Sequence, residues 1–115
     1  MDVSVDGVSG SYEIQNAVEL MHAHYGEKIS VSSLACKANR SESHFARLFK
    51  QEMGFSPAEY LMRIRVEKAR KLLSHSQKNA SEIALECGFA SSAHFSYAFK
   101  KRVGVSPLQY RRNFK

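Results

Sequence analysis

Two stretches of the chain carry aromatic, basic and small polar residues in the same order, 50 positions apart. They are HFARLFKQEMGFSPAEY, residues 44–60, and HFSYAFKKRVGVSPLQY, residues 94–110. The phenylalanines recur at helical spacing and predict an inward face, which leaves hydroxyl, methyl and basic groups outside. Basic groups attract anions and hydroxyl groups donate hydrogen bonds, so the outward face predicts a binding surface. The outward residues are Glu42, Ser43, Ala46, Arg47 and Lys50 in the first helix and Ser92, Ala93, Ser96, Tyr97, Lys100 and Lys101 in the second.

The duplication strengthens this interpretation. Ordinary amphipathic helices with solvated charges would explain either stretch taken alone, but His, Phe, Phe, Lys, Gly, Ser, Pro and Tyr return in register. Upstream, Leu34-Ala35 corresponds to Ile83-Ala84 at a spacing of 49, so the turn of the first unit is one residue shorter. Two copies of one supersecondary unit are therefore predicted, which are too few for a solenoid.

Each unit is predicted to contain a short helix, a tight turn and a longer helix. In the first, Ser30 and Ser41 are suitable N-caps, and Asn39-Arg40 forms the turn. In the second, Asn79 with Glu82 has the spacing of a capping box, Gly88 supplies the turn, and Ser91 or Ser92 opens the longer helix. Gly54 and Gly104 are expected to end the two longer helices, and Pro57 and Pro107 to begin the helices that follow.

The remaining segments complete an all-α fold. A helix from near Ser11 to Gly26 is predicted by the apolar spacing of Ile14, Ala17, Val18, Met21 and Tyr25. Residues 1–10 are interpreted as a flexible leader or linker stub, and residues 11–115 as the folded domain. We expect seven helices in two helix-turn-helix subdomains, about 30–54 and 79–104. A linker helix at about 57–74, apolar on two faces, is predicted to pack against both subdomains and hold them at a fixed separation.

Composition favours a small globular domain with an anionic partner. The chain has 115 residues, 43% apolar and 24% charged, and a formal net charge of +6. Residues 1–40 carry three basic and five acidic groups, a net −2, whereas residues 41–115 carry fourteen and six, a net +8. No apolar run has the length of a membrane span, and the N-terminus lacks the basic and apolar regions of a signal peptide, so we predict a cytoplasmic protein without a membrane partner.

Other reactive residues are given structural interpretations. Cys36 and Cys87 match no CxxC or zinc-ligand spacing and are predicted to be buried, reduced thiols. His22 and His24 lie two residues apart, and residues at this spacing do not share a face of a helix. We therefore predict that both are surface residues and that they form no metal site. His44 and His94 begin the longer helices, where packing or a phosphate contact is expected. We predict no catalytic residue, no metal and no cofactor.

The second unit carries the most specific resemblance to a known family. The segment EIALECGFASSAHFSYAFKKRVGVSPLQYRR has Ile-Ala, Gly-Phe, Ser-x-x-Phe, Phe-Lys and Gly-x-Ser-Pro landmarks in order. Over about residues 11–115 the chain resembles the DNA-binding domain of the AraC/XylS family of bacterial transcription regulators. The resemblance implies seven helices and two recognition helices that enter the major groove of the same double-stranded DNA.

The resemblance also implies roles for the outward residues. Many relatives carry a basic residue at the position of Tyr97 and a polar one at that of Ala46, so fewer bidentate base contacts are expected. Arg47 is the strongest candidate for contacting a guanine. The implied base-contacting residues are Ser43, Ala46, Arg47, Ser92, Ala93, Ser96 and Tyr97. The expected phosphate-contacting residues are Ser41, Lys50, Ser91, Lys100, Lys101, Arg102, Arg111 and Arg112.

The expected function is sequence-specific transcription regulation, by activation in the usual manner of this family, with RNA polymerase as a second partner. A nonspecific architectural DNA binder is the alternative. An enzyme is not predicted, because the DNA alkylation-repair fusions of this family need a cysteine-rich zinc segment that two cysteines do not supply. The module is expected to bind DNA as a monomer at a nonpalindromic site. A longer protein would dimerise through an N-terminal domain absent from this chain, although a freestanding small regulator is equally compatible.

Overall fold

The computed structural model describes the backbone of residues 2–114 and the side chains of residues 12–113. Within these ranges the protein is all-helical, with seven helices and no strand, as the sequence predicts. The helices are α1 (Asp2–Ala23), α2 (Val31–Lys37), α3 (Glu42–Met53), α4 (Pro57–His75), α5 (Ala80–Glu86), α6 (Ser92–Val103) and α7 (Pro107–Phe114).

The first helix differs from the prediction at both ends. It begins at Asp2 instead of near Ser11, and it ends at Ala23, before Gly26. The side chains of residues 1–11 lie outside the described residues, so the interpretation of residues 1–10 as a leader stays a prediction. The apolar spacing that predicted the helix is confirmed, because Ile14, Ala17, Val18 and Met21 are all buried.

The helices divide into two compact units. The first contains the residues up to His24 together with Ile29–Leu61, and the second contains Tyr25–Lys28 and the residues from Met62 onward. In the first unit α3 packs against α1 and α2, and in the second α6 packs against α5 and α7. Helix α4 contributes Leu61 to the buried residues of the first unit and Val66, Ala69 and Leu73 to the core of the second.

Both units turn between their two helices in related ways. In the first, Asn39 has a φ of 61° and the Arg40 N–H donates to the carbonyl of Ala35. In the second, Gly88 has a φ of 89° and the Phe89 N–H donates to the carbonyl of Ala84. These pairs are 49 positions apart, whereas the N-caps that follow, Ser41 and Ser91, are 50 apart. The second turn therefore holds the extra residue that the sequence predicts.

Aromatic rings form the centre of each unit. In the first, the ring of Phe49 lies 6.0 Å from that of Phe45 and 5.5 Å from that of Tyr60. The second unit repeats this arrangement with Phe95, Phe99 and Tyr110, at 5.7 and 5.5 Å. Phe45, Phe49, Phe95 and Phe99 are fully buried, which confirms the inward face.

Serines fix the starts of α4 and α7, the helices that follow α3 and α6. The Ser56 hydroxyl accepts a hydrogen bond from the Glu59 N–H at 3.2 Å, and the Ser106 hydroxyl accepts one from the Gln109 N–H at 3.1 Å. Proline occupies the first position of α4 and of α7, where the missing N–H has no cost. Among the described residues, none of the helices combines the length and hydropathy needed to cross a bilayer.

Candidate nucleic-acid interface

Helix α3 is fixed at both ends, so its exposed face has a defined orientation within the first unit. The Ser41 hydroxyl accepts a hydrogen bond from the His44 N–H at 3.2 Å, which caps the helix as predicted. At the other end the Gly54 N–H donates to the carbonyl of Lys50 at 2.9 Å. The burial of Phe45 and Phe49 between these ends sets the rotation of the helix about its axis.

The outward face of α3 contains Ser43, Ala46, Arg47 and Lys50. Their spacing of i, i+3, i+4 and i+7 places them on one side of the helix. Ser43, Arg47 and Lys50 are exposed, whereas Ala46 is half-buried. A guanidinium group with five donors therefore stands near the middle of an exposed face that also offers one hydroxyl and one ammonium group.

The outward face of α6 is built on the same positions. Ala93, Ser96, Tyr97 and Lys100 lie 50 residues after their counterparts in α3, and all four are exposed. Ser91 caps this helix by accepting a hydrogen bond from the His94 N–H at 3.0 Å. Only the lysine is common to the two faces, so the structure presents two surfaces of the same geometry and different chemistry.

Three of the exposed α6 residues make contacts within their own unit. The Nζ of Lys101 lies 5.7 Å from the centre of the Tyr97 ring, the geometry of a cation–π interaction. The Ser92 hydroxyl lies 3.1 Å from the Ser81 hydroxyl of α5. These contacts restrict side chains that the sequence assigned to DNA contact.

The basic residues expected to contact phosphates fall into two groups. Lys50, Lys100, Lys101 and Arg112 are exposed. Arg111 is half-buried: its Nε donates to the carbonyl of Leu73 at 3.0 Å, and its Nη2 donates to that of Ser76 at 3.1 Å. This guanidinium ties α7 to the C-terminal end of α4, which the sequence did not indicate.

Arg102 is also half-buried, and its Nη1 lies 3.5 Å from the carbonyl of Ala98. It lines a cavity of about 330 Å³ with Arg63, Glu67 and Arg70. Arg70 itself donates from Nε to the Tyr110 hydroxyl at 3.3 Å, and this hydrogen bond is the main reason that its pKa is raised.

Sequence interpretation missed the role of Arg65. Its Nε donates to the carbonyl of Tyr25 at 2.8 Å and its Nη2 to the carbonyl of Glu27 at 2.9 Å, while burial lowers the pKa of the guanidinium. These bonds hold the segment Tyr25–Lys28 within the second unit, next to the turn at Gly88. The sequence indicates only that Arg65, three residues after Met62 and four before Ala69, lies at the edge of an apolar stripe.

The prediction of two buried thiols is half correct. Cys87 is fully buried, and its pKa is raised to about 11, mainly by loss of hydration. Cys36 is exposed, because α2 buries Leu34 and Ala35 and turns the next residue outward. Of the histidines expected at the surface, His22 is exposed, and its Nε2 lies 3.4 Å from the Tyr60 hydroxyl.

His44 and His94 differ in exposure although they occupy equivalent positions. His44 is half-buried, whereas His94 is exposed, and the centre of its ring lies 5.7 Å from the centre of the Phe89 ring. In the part of the chain with described side chains, no three histidine, cysteine or carboxylate groups gather as metal ligands would.

Comparison with known proteins agrees with this geometry. A family model described as a helix-turn-helix domain matches residues 34–113. The chain is 40% identical over 80 residues to the probable transcriptional regulator LumQ of Photobacterium leiognathi, which covers 70% of this chain and 31% of that protein. It is 38% identical over 77 residues to the lactose operon transcription activator of Staphylococcus xylosus, covering 67% of this chain and 28% of that protein.

A solved structure extends the comparison to a DNA complex. The fold matches the DNA-binding domain of AdpA, a global transcriptional factor solved with a target DNA, with a TM-score of 0.85 and 32% identity. The match covers 88% of this chain and 91% of that chain. The protein is thus a double helix-turn-helix DNA-binding domain. It belongs to the AraC/XylS family of transcription regulators, and the relatives named above are transcription regulators. The chain spans less than a third of the length of the two curated relatives.

Proposed function

We propose that this chain is the sequence-specific DNA-binding module of a transcription regulator, with α3 and α6 as its recognition helices. The observation that carries the proposal is the pair of exposed faces at matched positions, Ser43 to Lys50 and Ala93 to Lys100. A recognition helix lies in the major groove with its N-terminal residues against base edges. Each face offers short side chains at its N-terminal end and a lysine in its last turn, which suits bases and phosphates respectively.

Within the first face, Arg47 is the proposed guanine contact, because its fork of donors matches O6 and N7 of guanine. Ser43 and Ala46 would lie beside it against base edges. In the second helix the proposed base contacts are Ser92, Ala93, Ser96 and Tyr97. The side chains that differ between the two helices would be the source of sequence choice.

The proposed phosphate contacts are the exposed basic groups and the capping serines, whose hydroxyls can still donate. Arg111 is left out of the proposal because its guanidinium is bonded to carbonyls of its own unit. Arg102 is assigned to packing, because its side chain is half-buried. The proposed set is Ser41, Lys50, Ser91, Lys100, Lys101 and Arg112.

We further propose that the module acts as a monomer on a nonpalindromic site, because it carries two recognition helices with different faces. Activation is the expected outcome by analogy with the lactose operon activator, with RNA polymerase as a second partner and the cytoplasm as the compartment. Light scattering of the DNA complex tests the stoichiometry. A complex of one chain per site is expected, and two chains per site would contradict it.

Selection of bound sequences from a random pool tests the function itself. The chain should enrich a defined site and bind it about 10³-fold or more tightly than scrambled DNA of the same length and salt. An affinity ratio near one would instead establish the architectural binder, which uses a basic surface without base contacts. Both affinities should be measured at several salt concentrations, because phosphate contacts make every value salt-dependent.

A further inference from the structure

The exposed face of α6 lacks the groups that recognise purines by paired hydrogen bonds. Arginine pairs with guanine, and asparagine or glutamine with adenine. The exposed residues of α6 include none of the three, and the one arginine of this helix, Arg102, is half-buried. Lysine can also contact guanine. The Nζ of Lys101, however, lies over the Tyr97 ring at 5.7 Å, and Lys100 belongs to the last turn of the helix, beyond the N-terminal part that meets bases.

What this face does present is apolar surface. Ala93 and Tyr97 are one helical turn apart on the same side, and both are exposed, Tyr97 to 66%. The ammonium group of Lys101 over the Tyr97 ring favours one position of that ring against the helix. A methyl group and an aromatic ring therefore stand side by side where α3 has a hydroxyl and a guanidinium.

In the major groove the apolar group that bases expose is the C5-methyl of thymine. We propose that Ala93 and Tyr97 form a contact surface for a thymine methyl, so that α6 selects thymine at a position equivalent to the one where Arg47 of α3 selects guanine. This inference rests on the proposed function, since it assumes that α6 lies in the groove. It gives Lys101, beside its proposed phosphate contact, a second role as a positioning residue for Tyr97.

The experiment removes the methyl groups from the DNA one at a time. In the site recovered by selection, each thymine is replaced by deoxyuridine, which lacks only the C5-methyl. At one thymine within the DNA segment that α6 contacts, this replacement should lower the affinity of the protein about fourfold, the equivalent of one buried methyl group. The Tyr97→Ala and Ala93→Ser variants should bind the thymine and deoxyuridine sites equally at that position. Tyr97→Phe, which keeps the ring, should retain the difference.

Matched variants in α3 and α6 complete the design. Arg47→Ala, at the equivalent position of the first unit, should weaken binding and yet retain the full deoxyuridine effect. Tyr97→Arg should shift the selected base in the α6 segment from thymine to guanine. Lys101→Met should reduce the deoxyuridine effect, because the ring loses its cation, and Lys100→Met should leave it unchanged.

The outcomes separate this inference from the proposed function. A defined site that tolerates deoxyuridine at every thymine would overturn the inference and leave sequence-specific binding intact. The inference also fails, with sequence-specific binding again intact, if Tyr97→Ala and Ala93→Ser both retain the difference at the sensitive thymine. Selection that recovers no site would overturn both.

Discussion

The ring of Phe99 lies 5.5 Å from the ring of Tyr110 at an interplanar angle of 74°, and Phe49 and Tyr60 repeat this pair at 5.5 Å and 71°. This edge-to-face contact joins α6 to α7 in the second unit and α3 to α4 in the first. Favourable aromatic pairs of this geometry add to the free energy gained from burial alone. The orientation of each exposed face therefore depends on a buried ring on the opposite side of the same helix.

Truncating these rings should destabilise the protein. Phe99→Ala is expected to lower the free energy of unfolding by about 3 to 5 kcal/mol, because it removes a fully buried ring and leaves a cavity. Chemical denaturation followed by circular dichroism measures the change. Tyr97→Ala, two residues away and exposed, is the control and should change the same quantity by less than about 1 kcal/mol. Similar losses in both variants would contradict the assignment of the faces.

The sequence was sufficient for the parts of the fold that local rules determine. Helical spacing identified the buried phenylalanines, and the caps at Ser30, Ser41 and Asn79 are confirmed by their hydrogen bonds. Apolar spacing and capping depend on residues within one helix or next to it, so they can be recognised in the sequence alone. The start of α1 at Asp2 was missed because its first residues include glycine and lack an apolar period.

Contacts between distant segments were not available from such rules. The sequence analysis assigned Arg111 to a phosphate and gave Arg65 no contact, but the Nε atoms of these residues donate to carbonyls 38 and 40 positions away. The position of the charged group of a long side chain depends on the segments that pack around it. Spacing along one helix does not predict those segments. The base and phosphate contacts stay predictions, because they depend on a partner.

Gly88 should tolerate a side chain less well than Gly54 does, although both have positive φ. A Cβ at Gly88 would lie 2.7 Å from the carbonyl oxygen of Tyr25 and 2.9 Å from Nε of Arg65, whereas Gly54 has open space. Gly54→Ala is expected to cost about 1 to 2 kcal/mol from backbone strain alone. Gly88→Ala should cost about 1 to 3 kcal/mol more, through overpacking. Equal unfolding free energies for the two variants would show that the Tyr25–Lys28 segment does not pack against this turn.

The buried thiol predicts a loss of stability in alkali. The Cys87 pKa of about 11 exceeds the ordinary value of 9.0, because burial disfavours the thiolate. Folding therefore favours the protonated thiol. Its contribution to the free energy of unfolding is complete below pH 9.0 and is lost as the pH rises toward about 11. The loss should approach about 3 kcal/mol for a shift of this size.

Denaturation at a series of pH values compares the wild type with Cys87→Ala, which should lack this part of the alkaline decline. Cys36→Ala is the control and should follow the wild type, since Cys36 is exposed. A thiol reagent should accordingly modify Cys36 rapidly and Cys87 only on unfolding. Parallel pH profiles for wild type and Cys87→Ala would remove the thiol as the cause.

Truncation of Arg47 and truncation of Lys50 should change DNA binding in different ways, although the two residues lie three positions apart on one exposed face. Arg47→Ala is expected to lose about 1 to 3 kcal/mol of binding free energy on the selected site and little on scrambled DNA. Arg47→Lys keeps the charge without the planar fork and should recover only part of this loss. Lys50→Ala should weaken binding to both DNAs alike and reduce the salt slope by about one unit, the signature of one lost phosphate contact. Titrations at several salt concentrations distinguish the two roles. An equal loss of affinity on both DNAs for Arg47→Ala would reassign Arg47 to a phosphate contact. An unchanged salt slope for Lys50→Ala would remove Lys50 from the interface.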